Sequence, residues 1–367
     1  MLQDREDKDM RLHEDRDVFE SALNDLEERT GYRAAVLEKD YYVVLMLKEL
    51  SEKQAEGLPA YFKGGTALYK SLKNAKRFSE DIDLSVDTRG CSGSQNKKRL
   101  NLATKSYISM VRNEGEGRTN KSEVITYYGY EPVTRTPGMD RLGRFGKVMI
   151  EATSFTISEP VYDMEITPLI YDLASEKEKE ILSVEYDISP FTVKAITTER
   201  IFIDKLFAAE AYARKASEPE KAFDAAKHIY DLSVMADMPN IQALLSNEED
   251  IKKLLNIRME EELGRLDGIP GVKPSEFEFF SSILGNAALE KAYKDMLSVY
   301  VFNETDRTPY EDAVSKISEI HDRLLENRSW TNYKVSVLAK LESKKKEAED
   351  HNKSVQNKDR SRSEEIE

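Results

Sequence analysis

The sequence predicts an α+β fold: a small mixed sheet flanked by helices, followed by an all-helical C-terminal domain. Three observations lead there. Residues 81–86 alternate strictly, with Asp81, Asp83 and Ser85 on one side and Ile82, Leu84 and Val86 on the other, which is the period of a half-buried strand. Gly64 and Gly65 separate a strand-like Tyr61-Phe62 from a helix-compatible run, Ala67 to Leu72, so strand and helix meet at one tight turn. From Thr197 to about residue 342 the pattern is almost wholly helical. The expected divisions are 1–196 for the sheet domain with its N-terminal helices, 197–342 for the helical domain, and 343–367 for a charged tail with too few apolar side chains to order.

Along the chain, the first thirty residues are charged and helix-prone, with Phe19, Leu23 and Leu26 on one stripe. Val36, Val43, Met46, Leu47 and Leu50 trace a second apolar face. Lys39 and Asp40 fall on that face, where charge is costly unless paired; they are expected to form ion pairing that supports a site. After the 81–86 strand come a helix over 95–113 and strands over Glu123–Tyr130, Lys147–Ile157 and Val161–Ile170. Thr197 or Thr198 caps the helix containing Ile201 to Ala209.

Composition narrows the function. The formal charge of −14 makes the surface as a whole repel nucleic acid. Two stretches depart from it: residues 60–79 hold Lys63, Lys70, Lys73, Lys76 and Arg77 with no acid, and residues 94–121 hold Lys97, Lys98, Arg99, Lys105, Arg112, Arg118 and Lys121 against Glu114 and Glu116. Basic patches on an acidic protein suit a triphosphate or an RNA end. Cys91 is the only cysteine, in a glycine-bounded loop, so a reducing compartment is the natural setting. The four histidines show no metal-ligand spacing. With no apolar stretch of membrane-spanning length and a charged N-terminus unlike a signal peptide, the expected location is cytoplasmic.

The chemistry concentrates between Lys63 and Val86. Asp81 and Asp83 project from one strand face, and carboxylates held that close repel unless a cation lies between them. Such paired oxygens suit a hard divalent ion, magnesium shared with substrate phosphates. The diglycine turn exposes backbone N–H groups at a helix start, a cradle for phosphate, with Thr66 as the expected N-cap. It is not a Walker A loop, because Tyr69 stands where a glycine must precede Lys-Ser.

Phe62-Lys-Gly-Gly-Thr-Ala-Leu-Tyr-Lys70, then Arg77-Phe-Ser-Glu-Asp-Ile-Asp-Leu84, resembles the nucleotidyltransferase superfamily that includes DNA polymerase beta. Within it, the fifteen residues between Gly65 and Asp81 are similar to the AbiEii/AbiGii toxin family. Weaker echoes are Glu38-Lys-Asp-Tyr-Tyr42, Lys205, Lys227-His-Ile-Tyr-Asp-Leu232 and Ala292-Tyr-Lys-Asp-Met296. The resemblance implies transfer of a nucleotidyl group from a magnesium-bound NTP to an acceptor hydroxyl, with a tRNA 3′ end as one acceptor, and a toxin held in check by an antitoxin in toxin–antitoxin or phage-defence systems.

It also assigns roles. Gly64, Gly65, Thr66, Lys70 and Ser79 are expected at the nucleotide, joined by Lys205, which lies in a helix apolar on nearly every face. Asp231 matches the family's aspartate and either orients Lys205 or pairs with Lys227 one turn back. A two-ion site needs a third carboxylate on a neighbouring strand. Glu151, in Lys147-Val-Met-Ile-Glu151, matches a family strand and is preferred over Asp163 and Glu165. Two other functions remain open: a small-molecule, antibiotic-modifying nucleotidyltransferase, and a nucleotide-binding regulator that does not turn over.

Overall fold

The computed structural model describes residues 11–74, 76–134, 143–265, 268–345 and 348. The expected tail, 343–367, therefore lies largely outside the described residues. The chain forms two units: residues 1–201 with 294–309, and residues 202–293 with 310–367.

The first unit opens with α1 (Arg16–Thr30), capped by Asp15 and closed by Gly31 in the left-handed conformation. Phe19, Leu23 and Leu26 are its buried stripe, as the sequence predicts. Next, α2 (Ala34–Ala55) is buried along most of its length. β1 (Ala60–Lys63), α3 (Gly64–Ser71) and β2 (Ile82–Val86) follow. α4 (Gly93–Lys105), started by a Ser92/Gln95 capping box, leads to β3 (Val111–Arg112), β4 (Arg118–Thr119), β5 (Glu123–Gly129), β6 (Lys147–Thr153) and β7 (Val161–Ile166). Short α5 (Leu169–Asp172), α6 (Glu176–Glu185) and β8 (Phe191–Ile196) complete the sheet region.

The strands form one mixed sheet in the order β3-β5-β6-β2-β1-β8-β7, with β4 also on β5. β2 is central, parallel to β6 and antiparallel to β1. One face carries Phe62, Ile82, Leu84, Val148, Ile150, Val193 and Ala195, all fully buried; each large one contributes about 1.5–3 kcal/mol by leaving water. α4 lies on that face, where the Thr104 carbonyl accepts the hydroxyls of Thr126 and Tyr128. The opposite face presents Lys63, Asp83, Glu151, Ile125 and Tyr127, none of them fully buried.

Several expected bounds change. The helix expected over 95–113 ends at Lys105, because Glu49 of α2 takes the N–H groups of Ile108 and Ser109 at 2.8 and 2.7 Å and turns the chain away. The strand expected to Ile157 ends at Thr153, where the Ser154 N–H goes to the Ser122 carbonyl at 2.8 Å. The strand expected to Ile170 ends at Ile166: Pro168 starts α5, and Asp40 accepts the Leu169 N–H at 2.7 Å. Thr66 is not the N-cap of α3, which begins two residues earlier at Gly64. β8 is an additional strand, inserted between β1 and β7.

Residues 294–309 belong with the sheet. The Phe78 N–H donates to the Tyr300 carbonyl at 2.7 Å, Phe78 meets Phe302 at 5.7 Å, and Lys76 pairs with Asp306 at 2.8 Å.

The second unit is helical, as the sequence predicts. α7 (Thr198–Ala213) enters it from the first, followed by α8 (Pro219–Met235), α9 (Pro239–Leu245), α10 (Glu248–Gly264), α11 (Phe279–Ser282), α12 (Ala287–Tyr300), which passes into the first unit at Lys294, α13 (Tyr310–Glu326) and α14 (Arg328–Thr331). Its core includes Phe207, Tyr230, Phe279 and Trp330, with Phe277 edge-on to Trp330 at 5.5 Å. No helix among the described residues is long and apolar enough to cross a membrane.

Candidate active site

The turn from β1 into α3 sets the site. Gly64 has φ of +82°, and a β-carbon there would lie 2.0 Å from Asp83 Oδ2. Glycine is thus required twice, for its backbone conformation and for the approach of the carboxylate. At Gly65 a β-carbon would lie 2.7 Å from Ser79 Oγ and 2.9 Å from Arg77 Nη2. The first-turn N–H groups of a helix have no intrahelical acceptor, so this turn offers donors beside Asp83. Thr66 donates its hydroxyl to Ser79 Oγ at 3.0 Å, tying α3 to the segment that leads into β2.

The register supplies the neighbours. Asp83 stands opposite Lys63 on β1 and opposite Glu151 on β6, and Glu151 opposite Ile125 on β5. Side chains at one level of a sheet share a face, so Lys63, Asp83 and Glu151 form a row across three adjacent strands. Burial raises Glu151 above the ordinary carboxylate range; Lys63 opposes the shift, while Glu123 and Asp81 add to it. Lys63 Nζ also donates to Thr153 Oγ1 at 3.1 Å. The alternatives to Glu151 lie elsewhere: Asp163 and Glu165 are on β7, with β1 and β8 between it and β2. They pair with Lys194 at 3.2 Å and Lys73 at 2.6 Å.

Oxygen donors on one face fit a hard cation. Among the described residues, however, no three His, Cys, Asp or Glu side chains already form a metal cage. A magnesium ion keeps waters and takes substrate phosphates as ligands, so this donor set fits an ion that arrives with its nucleotide.

Below the turn, α2 supplies charged supports. Lys39 is 2% exposed; it donates to the Arg144 carbonyl at 2.7 Å, also to that of Lys147, and lies 3.6 Å from Glu80. Burial pushes Glu80 up to about 7, against the pull of Lys39 and with a push from Asp81. Asp40 pairs with Lys70 at 2.5 Å, and Lys70 also donates to the Thr167 carbonyl at 3.0 Å. Lys39 and Asp40 thus have separate partners, Lys39 at the approaches to β2 and β6 and Asp40 at the last turn of α3. Lys70 lines a water-sized cavity of about 20 Å³ together with Thr66, Ser79, Arg77 and Asp172.

Lys205 and Asp231 meet within the second unit at 2.5 Å, 5% and 0% exposed. Lys227 pairs with Asp224 at 3.0 Å. Asp204 pairs with Arg258 at 3.2 Å, and Arg200 donates to the carbonyls of Ile157 and Glu159. Sequence reasoning missed Lys63 as a site residue, although the alternation that aligns Asp81 with Asp83 also aligns Tyr61 with Lys63. It also missed Glu80, whose burial depends on Lys39 and Arg144, remote in sequence.

The family described as "Nucleotidyl transferase AbiEii toxin, Type IV TA system" matches residues 46–321. Among solved structures, JHP933 from Helicobacter pylori is 16% identical, with 85% of this chain and 95% of that one covered and a TM-score of 0.31. A second H. pylori protein, provisionally described as a nucleotidyltransferase, is 16% identical, with 77% and 94% covered and a TM-score of 0.32. No curated protein matches.

Proposed function

This chain belongs to the AbiEii family of nucleotidyl transferase toxins of type IV toxin–antitoxin systems, and from that premise we propose that it moves a nucleotidyl group from a magnesium-bound NTP to the 3′-hydroxyl of an RNA such as a tRNA. The observation that carries the reading is the row Lys63–Asp83–Glu151 beside a turn only glycine can make. Asp81, Asp83 and Glu151 would hold the magnesium, which, when bound, neutralises the phosphates and lowers the pKa of the attacking hydroxyl. The first-turn N–H groups of α3 receive the phosphates, with the Thr66 and Ser79 hydroxyls alongside. Lys63 balances charge in the carboxylate row, and Lys70 acts through α3, which it anchors to Asp40. For Lys205, held by Asp231, the proposed role is at the triphosphate. The acceptor oxygen bonds the α-phosphorus as the bond to the β-phosphate breaks; pyrophosphate leaves with the electron pair and the hydroxyl proton passes to water. Catalysis is then positioning and charge compensation. A lysine in the row disfavours a cationic acceptor, and with it an antibiotic-modifying role.

Incubation with each α-labelled NTP, magnesium and total RNA tests the reading. Label should enter an RNA species with the wild-type protein and not with Asp83→Asn. Wild-type protein that labels no macromolecule with any NTP would overturn it.

A further inference from the structure

Beyond the carboxylate row, the sheet face opposite α4 carries apolar side chains that the chemistry above does not use. Ile125 and Tyr127 of β5 and Met149 of β6 are half-buried on it. Their places follow from the register: Ile125 is opposite Glu151, and Tyr127 opposite Met149. Continuing the β2–β6 pairing back by two residues from Asp83 and Glu151 puts Met149 level with Asp81. The Tyr127 ring thus stands two strands, roughly 10 Å, from the Asp81 backbone on the same face.

Charge surrounds this surface. Lys147 Nζ lies 4.9 Å from the Tyr127 ring centre and 3.2 Å from Glu116, on a side chain 35% exposed. Arg118, on β4 against β5, is 61% exposed and bonds Glu123. β3 and β4, with Arg112 and Arg118, form this edge of the sheet in a chain of net charge −14.

We propose that this face binds the single-stranded 3′ end of the RNA acceptor, its terminal base stacked on Tyr127 against Met149 and its phosphates drawn by Lys147 and Arg118. The proposal rests on the nucleotidyl-transfer reading of Asp81, Asp83 and Glu151. Aromatic rings bind any base by its π face, which suits an end that must be held rather than read. The Lys147 ammonium covers the ring in the free protein; its flexible, partly exposed stem lets it yield to a base and stay within reach of the adjoining phosphate. A base stacked at the level of Asp81 leaves its own sugar pointing back along the row towards the carboxylates. A folded protein surface as acceptor would instead need a broader, drier patch.

The test is fluorescence anisotropy with a short 5′-labelled single-stranded RNA and with the same RNA lacking its 3′-terminal base. Tyr127→Ala should weaken binding of the intact RNA roughly five- to a hundred-fold, the range of one stacked base, with NTP affinity and thermal midpoint unchanged. Tyr127→Trp should bind like the wild type. Loss of the terminal base should weaken wild-type binding equally and cause no further loss in Tyr127→Ala. Should Tyr127→Ala fail to fold, the wild-type comparison of intact and base-lacking RNA decides alone. Equal affinity of the wild type for both RNAs, or label found on protein rather than RNA in the transfer assay, overturns the proposal. RNA transfer by the wild type with unchanged affinity in Tyr127→Ala overturns this face alone; no transfer by the wild type overturns the nucleotidyl-transfer reading itself.

Discussion

Gly64 and Asp83 share one small volume, and that sharing makes both sensitive to change. An alanine at position 64 would need a left-handed backbone and would put its methyl group into the Asp83 carboxylate. Gly64→Ala should therefore cut transfer by at least a hundred-fold while most of the fold survives, measured by label incorporation and circular dichroism. Glu151 has a different signature. Burial raises its pKa, so the folded protein binds this proton more tightly than the unfolded chain does. The stabilisation this confers is full below the unfolded pKa and is lost as pH rises through the raised value. Above that, the ionised carboxylate burdens the free protein. Glu151→Gln should thus melt higher than wild type at pH 8, with the difference shrinking as pH falls towards the ordinary carboxylate range. It should also retain NTP binding while turnover drops by orders of magnitude. A lower melting point at pH 8, or undiminished turnover, would remove Glu151 from the site.

At the scale of elements, α2 works less as an apolar staple than as a post to which loops are tied. Glu38 accepts the N–H groups of Val133 and Thr134, Glu49 those of Ile108 and Ser109, and Gln54 bonds the backbone of Ala60 and Lys194. Its buried carboxylates are met by backbone N–H groups, and Lys39 by backbone carbonyls and Glu80, the condition for tolerating them. The α7–α8 pair shows the same logic. Lys205→Ala removes the ammonium paired with the fully buried Asp231, and removing one partner of such a pair costs about 3–5 kcal/mol. The single variant should be unstable whatever Lys205 does for the nucleotide. The double variant Lys205→Met with Asp231→Leu should recover most of the thermal midpoint. If it also binds NTP like the wild type, the role of Lys205 is structural only.

For the whole molecule, charge and composition set the expectations. RNA binding by a protein of net charge −14 must rely on local basic segments, so acceptor affinity should fall steeply with salt. The charged stretch 343–367 has few apolar side chains to offset its ordering entropy. Its deletion should leave the thermal midpoint and label transfer within error of the full chain; a large loss of either would mean that it docks. The placement of residues 294–309 against Phe78 and Lys76 arises at this scale as well, because a helix such as α12 carries no local mark of which unit its end will join.

Local rules sufficed for the α+β class, the β1–turn–α3–β2 motif, the buried stripe of α1 and the helical C-terminal half. Period-two and period-3.6 patterns are written in neighbouring residues and survive whatever packs on them. The Asp81/Asp83 pair and the need for glycine beside it were legible for the same reason. β8 was legible in principle, since Val193 and Ala195 alternate with Thr192 and Lys194, but a six-residue strand between charged segments gives a faint signal. The partners of Lys39, Asp40, Lys70 and Lys205 were decided only in three dimensions, as were the end of α4 at Glu49 and the row joining Lys63, Asp83 and Glu151. Each depends on which distant strand or helix lies alongside. Strand order and register answer to the packing of the entire sheet, and no window of sequence contains that.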